Sequence, residues 1–184
     1  NVYRSQRDGS DGRLLSQAGG VPGNGNSYDA SISADGSVVA FVSEATNLDS
    51  IPGDSNGLPD VFIYDFAGPA LDRVVSSDGN EFNQPSAESS GEVGALEPSI
   101  SADGRYVVFK TQSDNVLPFT VERSDGTVFA MAPYGAGGYI FGTDEAIVGY
   151  SDLNSTNHFN SYAGSDIYLF DRQNPGNLEQ ISRN

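Results

Sequence analysis

The stretch Ser31-Ile32-Ser33-Ala34-Asp35-Gly36-Ser37-Val38-Val39-Ala40-Phe41 returns as Ser99-Ile100-Ser101-Ala102-Asp103-Gly104-Arg105-Tyr106-Val107-Val108-Phe109, identical at eight of eleven positions. Such self-similarity marks a duplicated structural unit and outranks local propensity as a guide to fold. In each copy an Asp-Gly pair separates two short β-prone runs. That is a hairpin signal, because Gly accepts φ > 0 and Asp hydrogen-bonds its own local backbone.

Working outward, each unit gains two further strands. In the first copy, strands at 30–33 and 38–43 flank the turn. A loop then leads to Asp60-Val61-Phe62-Ile63-Tyr64-Asp65, a Gly68-Pro69 turn and a strand at 72–76. The second copy runs 98–101, 106–111, Asp166-Ile167-Tyr168-Leu169-Phe170-Asp171, a Pro175-Gly176 turn and 178–182. At the N-terminus, residues 1–5 and 13–16 around Asp8-Gly9-Ser10-Asp11-Gly12 resemble only the last two strands of the unit. No apolar stripe at helical spacing is present, and Gly or Pro interrupts nearly every window that could carry one.

The expected organisation is therefore a single all-β repeat domain over 1–184, built of antiparallel four-stranded units. It divides into a half unit at 1–17, a first full unit at 28–77 and a second full unit at 97–184, with a polar inter-unit loop at 77–97. The second unit carries an insertion over 118–163. There, 119–122 and 127–131 flank Ser124-Asp125-Gly126 as another hairpin, a Gly-rich joint at 135–138 follows, and 139–141 and 146–150 are further strands.

Four consecutive antiparallel strands is the pattern of one β-propeller blade. Pro98-Ser99-Ile100-Ser101-Ala102-Asp103-Gly104-Arg105-Tyr106-Val107-Val108-Phe109, together with the Asp60–Asp65 and Asp166–Arg172 strings, resembles the TolB-type (PD40, WD40-like) β-propeller repeat. The resemblance covers both full units and the half unit. It implies blades; it implies no particular activity, because that repeat serves in binding, transport-accessory, peptidase-gating and surface proteins alike. Propellers of this type close with more blades than two and a half. Two expectations stay open: the chain is a segment of a longer propeller, or neighbouring copies complete its blades.

Charge and composition narrow the chemistry. With 25 acidic and 9 basic residues, net charge −16, the chain is a poor match for nucleic acid, whose phosphates call for Lys and Arg, or for an anionic membrane surface. There is no cysteine, which removes disulfides, thiolate metal sites and cysteine nucleophiles. No apolar stretch is long enough to span a bilayer as a helix, and Asn1-Val2-Tyr3-Arg4 has no signal-peptide pattern. One Lys, one Met, no Trp and abundant Gly, Ser, Asn and Asp point to an extracellular or cell-surface, secreted protein of bacterial type.

Catalysis finds little support. The single histidine, His158, lies in a polar run without a Gly-x-Ser-x-Gly nucleophile elbow, and a loop histidine is most often simply solvated. Paired acids such as Asp144-Glu145 arise by chance in so acidic a chain, so they make a weak glycosidase signal. No catalytic residue is expected. The loop Pro52-Gly53-Asp54-Ser55-Asn56-Gly57-Leu58-Pro59-Asp60 places oxygens at Asp54, Asn56 and Asp60 with a Gly for a tight bend, in the manner of a Ca²⁺ loop. Asx-turns explain the same residues without a metal. Asp152-Leu153-Asn154 is a degenerate echo, and Asn154-Ser155-Thr156 fits a glycosylation sequon. Tyr134, Tyr139, Tyr150, Phe159 and Tyr162 are either a stacking surface for glycan or protein, or the core of the insertion.

Unpaired strand edges template further pairing, and units that cannot bury their own faces stack on neighbours. The leading expectation is thus a non-enzymatic structural protein that self-associates by strand or blade complementation into a homo-oligomer or filament, with Ca²⁺ as a stabiliser and the 119–131 hairpin as strand donor. The other is a glycan- or peptide-binding segment of a larger secreted propeller protein.

Overall fold

The computed structural model describes residues 1–48, 53–68, 71–77, 79–82, 94–113, 116–117, 119–123, 128–131, 147–151 and 166–182. The described chain is all-β and antiparallel, with no helix. β1 (Tyr3–Arg4) pairs β2 (Arg13–Leu14), and β3 (Gln17–Ala18) pairs β4 (Val21–Pro22). β5 (Ser27–Ile32), β6 (Val38–Ser43), β7 (Asp60–Asp65) and β8 (Leu71–Arg73) form a four-stranded sheet in chain order. A second such sheet, with the order β9-β10-β14-β15, contains β9 (Ala95–Ile100), β10 (Tyr106–Thr111), β14 (Asp166–Asp171) and β15 (Leu178–Gln180). Inserted between β10 and β14, β11 (Phe119–Arg123) lies between β12 (Val128–Met131) and β13 (Ile147–Ser151). The four-stranded meanders and the insertion hairpin expected from the sequence are thus present. The first strand of each meander begins earlier than its apolar run suggests, and the last is shorter.

The turn chemistry explains why the repeated hexapeptide forms a hairpin. Gly36 and Gly104 both sit at φ +72°, where a side chain would be strained, and each N–H donates to the carbonyl of Ser33 or Ser101 at 2.9 Å. Asp35 Oδ1 accepts from the Ser33 hydroxyl at 2.7 Å and the Ser37 N–H at 2.9 Å. Asp103 Oδ1 accepts likewise from Ser101 and from the Arg105 N–H. The serine hydroxyls in turn accept the N–H of Val38 and of Tyr106.

A second shared device lies in the first strand of each sheet. Asp29 and Glu97 occupy left-handed backbone conformations, φ 50° and 53°, and the ladder register shifts beside each of them. Each is a β-bulge, one extra residue that bends the strand.

The layers stack in chain order. One face of the first sheet, Val39 and Phe41 of β6 with Phe62 and Tyr64 of β7, packs with Val2 and Leu15 of the N-terminal layer. Its other face, with Val38, Ala40, Val42, Val61 and Ile63, packs with Val107 and Phe109 of β10 and Tyr168 and Phe170 of β14. Being covered on both faces, β6 is buried at every position, which is why its sequence is a continuous apolar run instead of an alternation. β10 alternates buried with half-buried residues, as a strand covered more completely on one face does.

Ring pairs join neighbouring strands within each sheet: Phe41 and Phe62 lie 6.0 Å apart across β6 and β7, and Phe109 is 6.0 Å from Tyr168 across β10 and β14 and 5.4 Å from Phe82 of the segment before the second sheet. Polar clamps tie the layers together at their rims. Arg172 donates to Gly104 O at 2.7 Å and is paired with Asp65 of the first sheet. Arg4 stacks on Phe66, its guanidinium 4.3 Å from the ring centre.

Candidate functional site

The loop singled out for a cation is closed by its own hydrogen bonds. Asp54 Oδ1 accepts the N–H groups of Asn56 at 3.1 Å and Gly57 at 2.8 Å, and Asn56 Oδ1 accepts that of Leu58 at 2.8 Å. These are Asx-turns, in which a short polar side chain stands in for a backbone turn. The loop is pinned to the segment before the second sheet: Asn56 Nδ2 donates to Phe82 O at 2.6 Å, and the Ser55 N–H donates to Glu81 Oε2 at 3.1 Å.

Asp60, at the start of β7, points inward. Its Oδ2 lies 3.0 Å from Arg73 Nη1 with both side chains almost fully buried, and Glu81 approaches the same guanidinium nitrogen at 3.4 Å. The pairing follows from sheet register, because β7 and β8 run antiparallel with Phe62 opposite Arg73. Burial pushes the Asp60 carboxyl up to about 7, against the pull of Arg73 and with added repulsion from Asp54 and Glu81. Asp60 Oδ1 is buried without a hydrogen-bond partner.

The three expected ligands therefore sit on one loop and one strand start, with two of them engaged in turns and the third in an ion pair. Among the described residues no group of three or more His, Cys, Asp or Glu side chains is arranged to hold a metal. The buried Asp60–Arg73 pair escaped the sequence reading; only the strand register brings together residues thirteen apart.

The second candidate site is the pair of terminal faces of the stack. On the N-terminal face, Tyr3 is 66% exposed and Ile32 is 53% exposed. Their counterparts in the next repeat are buried or partly so. Phe62 and Tyr168, which correspond to Tyr3, are fully covered, and Ile100, which corresponds to Ile32, packs on the core between the sheets. The correspondence is fixed by a recurring bond in which Leu15 N–H donates to Val2 O, Val74 to Val61 and Ile181 to Ile167, at 2.8–2.9 Å.

The N-terminal layer, which carries Tyr3, contributes two paired strands, β1 and β2, against the four of the first sheet, which carries Ile32. An Asn24–Asn47 clasp, in which Asn24 N–H donates to Asn47 Oδ1 at 2.9 Å and Asn47 Nδ2 to Pro22 O at 3.0 Å, ties β4 and the connection after it to the loop that follows β6.

His158, Asp144-Glu145, Asp152, the Asn154 sequon, Tyr134, Tyr139, Phe159 and Tyr162 lie outside the described residues. Of Tyr150, only its place on β13 opposite Val121 is described. No known protein family matches the chain, and no curated protein matches it.

Proposed function

We propose that the chain is a non-enzymatic, extracellular structural protein whose blade-like four-stranded units associate with further copies, by β-strand or blade complementation, into a homo-oligomer or filament. The observation that carries the reading is the half-width N-terminal layer. Two strands cover a four-stranded sheet, and Tyr3 and Ile32 stay exposed where the equivalent positions one repeat on, Phe62 and Ile100, are buried and half-buried. Large apolar side chains at the end of a repeat stack are a contact surface awaiting the next unit. Strands supplied by another copy, with the β11–β12 hairpin as donor, complete the layer and cover the exposed edge of β1.

Sedimentation velocity over a concentration series tests the proposal. Species heavier than the 19.4 kDa chain, growing with concentration and visible as rings or fibres by electron microscopy, are expected. A single monomeric species at every concentration overturns it and favours the other reading, a glycan- or peptide-binding segment of a larger propeller protein.

Calcium at Asp54, Asn56 and Asp60 enters the proposal as a stabiliser only. A ligand held by the native state alone raises its stability by mass action, so chelation should lower the melting temperature. Unchanged melting removes calcium from the proposal and leaves the assembly reading in place.

A further inference from the structure

Where Asp or Asn precedes Gly, a polypeptide can rearrange its own backbone, because glycine has no side chain to shield its amide nitrogen from the neighbouring side-chain carbonyl carbon. Six such pairs lie among the described residues, at 8–9, 11–12, 24–25, 35–36, 56–57 and 103–104. In five of them the side chain is held. Asp8 Oδ1 accepts the Ser10 N–H at 2.9 Å and its hydroxyl at 2.6 Å, and Asp35 and Asp103 are bonded in the same manner. Asn24 Oδ1 accepts the Thr46 N–H at 2.9 Å while its Nδ2 donates to Thr46 Oγ1 at 3.0 Å. Asn56 is fixed at both ends by Leu58 and Phe82. The attacking nitrogen is engaged as well in four of these pairs: the N–H groups of Gly9, Gly36, Gly57 and Gly104 donate to Gln6 O, Ser33 O, Asp54 Oδ1 and Ser101 O.

Asp11-Gly12 stands apart. The turn between β1 and β2 closes before it, with the Gln6 N–H donating to Ser10 O at 2.8 Å. The Asp11 side chain is 67% exposed, and its one contact among the described residues is an ion pair with Arg4 at 3.9 Å. The Gly12 N–H has no hydrogen-bond partner among the described residues. Asp11 also sits at φ 53°, a left-handed backbone that costs a non-glycine residue energy. We propose that Asp11 is a self-modification site, converted to isoaspartate by its neighbour Gly12. The Gly12 nitrogen loses its proton and bonds to Asp11 Cγ, and the Cγ–OH bond of the protonated carboxyl breaks to release water. The resulting succinimide takes up a solvent water. Cleavage of the N–Cγ bond restores aspartate; cleavage of the bond between that nitrogen and the main-chain carbonyl carbon gives isoaspartate, with the chain now routed through Cβ and Cγ. Water leaves and water returns, so no oxidant, reductant or enzyme is needed.

The other Asp-Gly pairs resist for two reasons. Their carboxyls must first give up the bonds that shape the turns. The Ser10 hydroxyl at Asp8, the Ser37 N–H at Asp35 and the Ser101 hydroxyl at Asp103 also hold those carboxyls down, Asp35 to about 2, so they seldom carry the proton that the departing oxygen needs. At Asp11 the product has a consequence for the fold. An added methylene lengthens the connection between β1 and β2, the strands beside Val2 and Leu15, which pack on the first sheet. The inference stands apart from self-association, because every group it uses belongs to one chain.

The test ages the folded full-length chain in warm, mildly acidic oxygen-18 water, with the guanidinium-unfolded chain as the reference for each site. Peptide mapping in ordinary water then resolves isoaspartate from aspartate. In the folded protein Asp11 should isomerise at close to its unfolded-chain rate and gain the heavy oxygen. At Asp8, Asp35 and Asp103 folding should slow the reaction at least roughly tenfold, the effect of two hydrogen bonds that must break first. Folding that slows Asp11 as much as Asp35 overturns the proposal, as does isoaspartate at Asp11 without the heavy oxygen. Gly12→Ala is the companion variant. A Cβ there meets nothing within 4 Å, so the fold is kept while the added methyl hinders the nitrogen. Isoaspartate at Asp11 should fall with melting close to wild type; an undiminished rate overturns Gly12 as the attacking residue.

Discussion

Asp35 and Asp103 each gather the hydroxyl of the serine two residues before and the N–H two residues after, so the turn is fixed by short-range bonds. Gly104 adds a demand of its own. A Cβ there would lie 2.9 Å from Val38 Cγ2 across the sheet interface, whereas at Gly36 the nearest atom is 3.7 Å away, on the Arg4 side chain. Both substitutions to Ala are expected to destabilise by roughly 1–2 kcal/mol for the left-handed backbone alone. Gly104→Ala should cost measurably more than Gly36→Ala in urea titrations, the difference reporting the close packing of the two sheets.

The same residues set the pH response. The Ser37 N–H and the Ser33 and Ser37 hydroxyls hold Asp35 at about 2, and the Arg105 guanidinium with Asn174 holds Asp171 well below the usual carboxylate range. Such groups contribute stability that is complete above their unfolded value near 4 and is lost as pH falls through the folded one. Asp60 has the opposite sign. Its folded value near 7 exceeds the unfolded one, so its contribution is complete below about 4 and is lost as pH rises through 7. The melting temperature should therefore peak between about pH 4 and 7. Asp35→Asn should flatten the acid limb and Asp60→Asn the neutral one. Arg73→Met, which leaves Asp60 buried without its cation, should cost about 3–5 kcal/mol at pH 7.

At the scale of the strand, the apolar runs were legible because β6, β7, β10 and β14 coincide with uninterrupted β-branched and aromatic residues. The first strands, β5 and β9, were read short because Asp29 and Glu97 take up bulges that no glycine announces. A left-handed glutamate is strained, and the only ion pair it makes among the described residues is an exposed one with Lys110 at 3.3 Å, of little worth. Glu97→Gly should consequently stabilise the protein by up to ~1 kcal/mol; a loss of stability would show that the bulge depends on its side chain. The paired rings make a companion case. Phe41→Ala and Phe109→Ala, each removing a fully buried ring, should cost about 3–5 kcal/mol apiece.

The layered whole was only half legible. Repetition disclosed how many units to expect, but which face of a unit meets its neighbour depends on register, and register comes from the ladder partners. The same gap explains the acidic loop: Asp60 reads as a ligand in isolation and as Arg73's partner once β7 and β8 are paired. Net charge acts at this scale as well. Copies carrying −16 each repel one another, and screening shortens the reach of that repulsion from about 30 Å at 0.01 M salt to about 8 Å at 0.15 M. Assembly should accordingly strengthen over this range; weakening would point to an interface held by ion pairs instead of apolar faces.

The middle strands of the first sheet, β6 and β7, have no solvent face, and that has a consequence for how the protein opens. Amides at the two ends of the stack can exchange with deuterium through local fraying. Those of Val39 to Val42 and Val61 to Tyr64 lie between two layers that must both depart first. Their exchange should be the slowest in the chain and report the global unfolding free energy, with protection declining outward on either side.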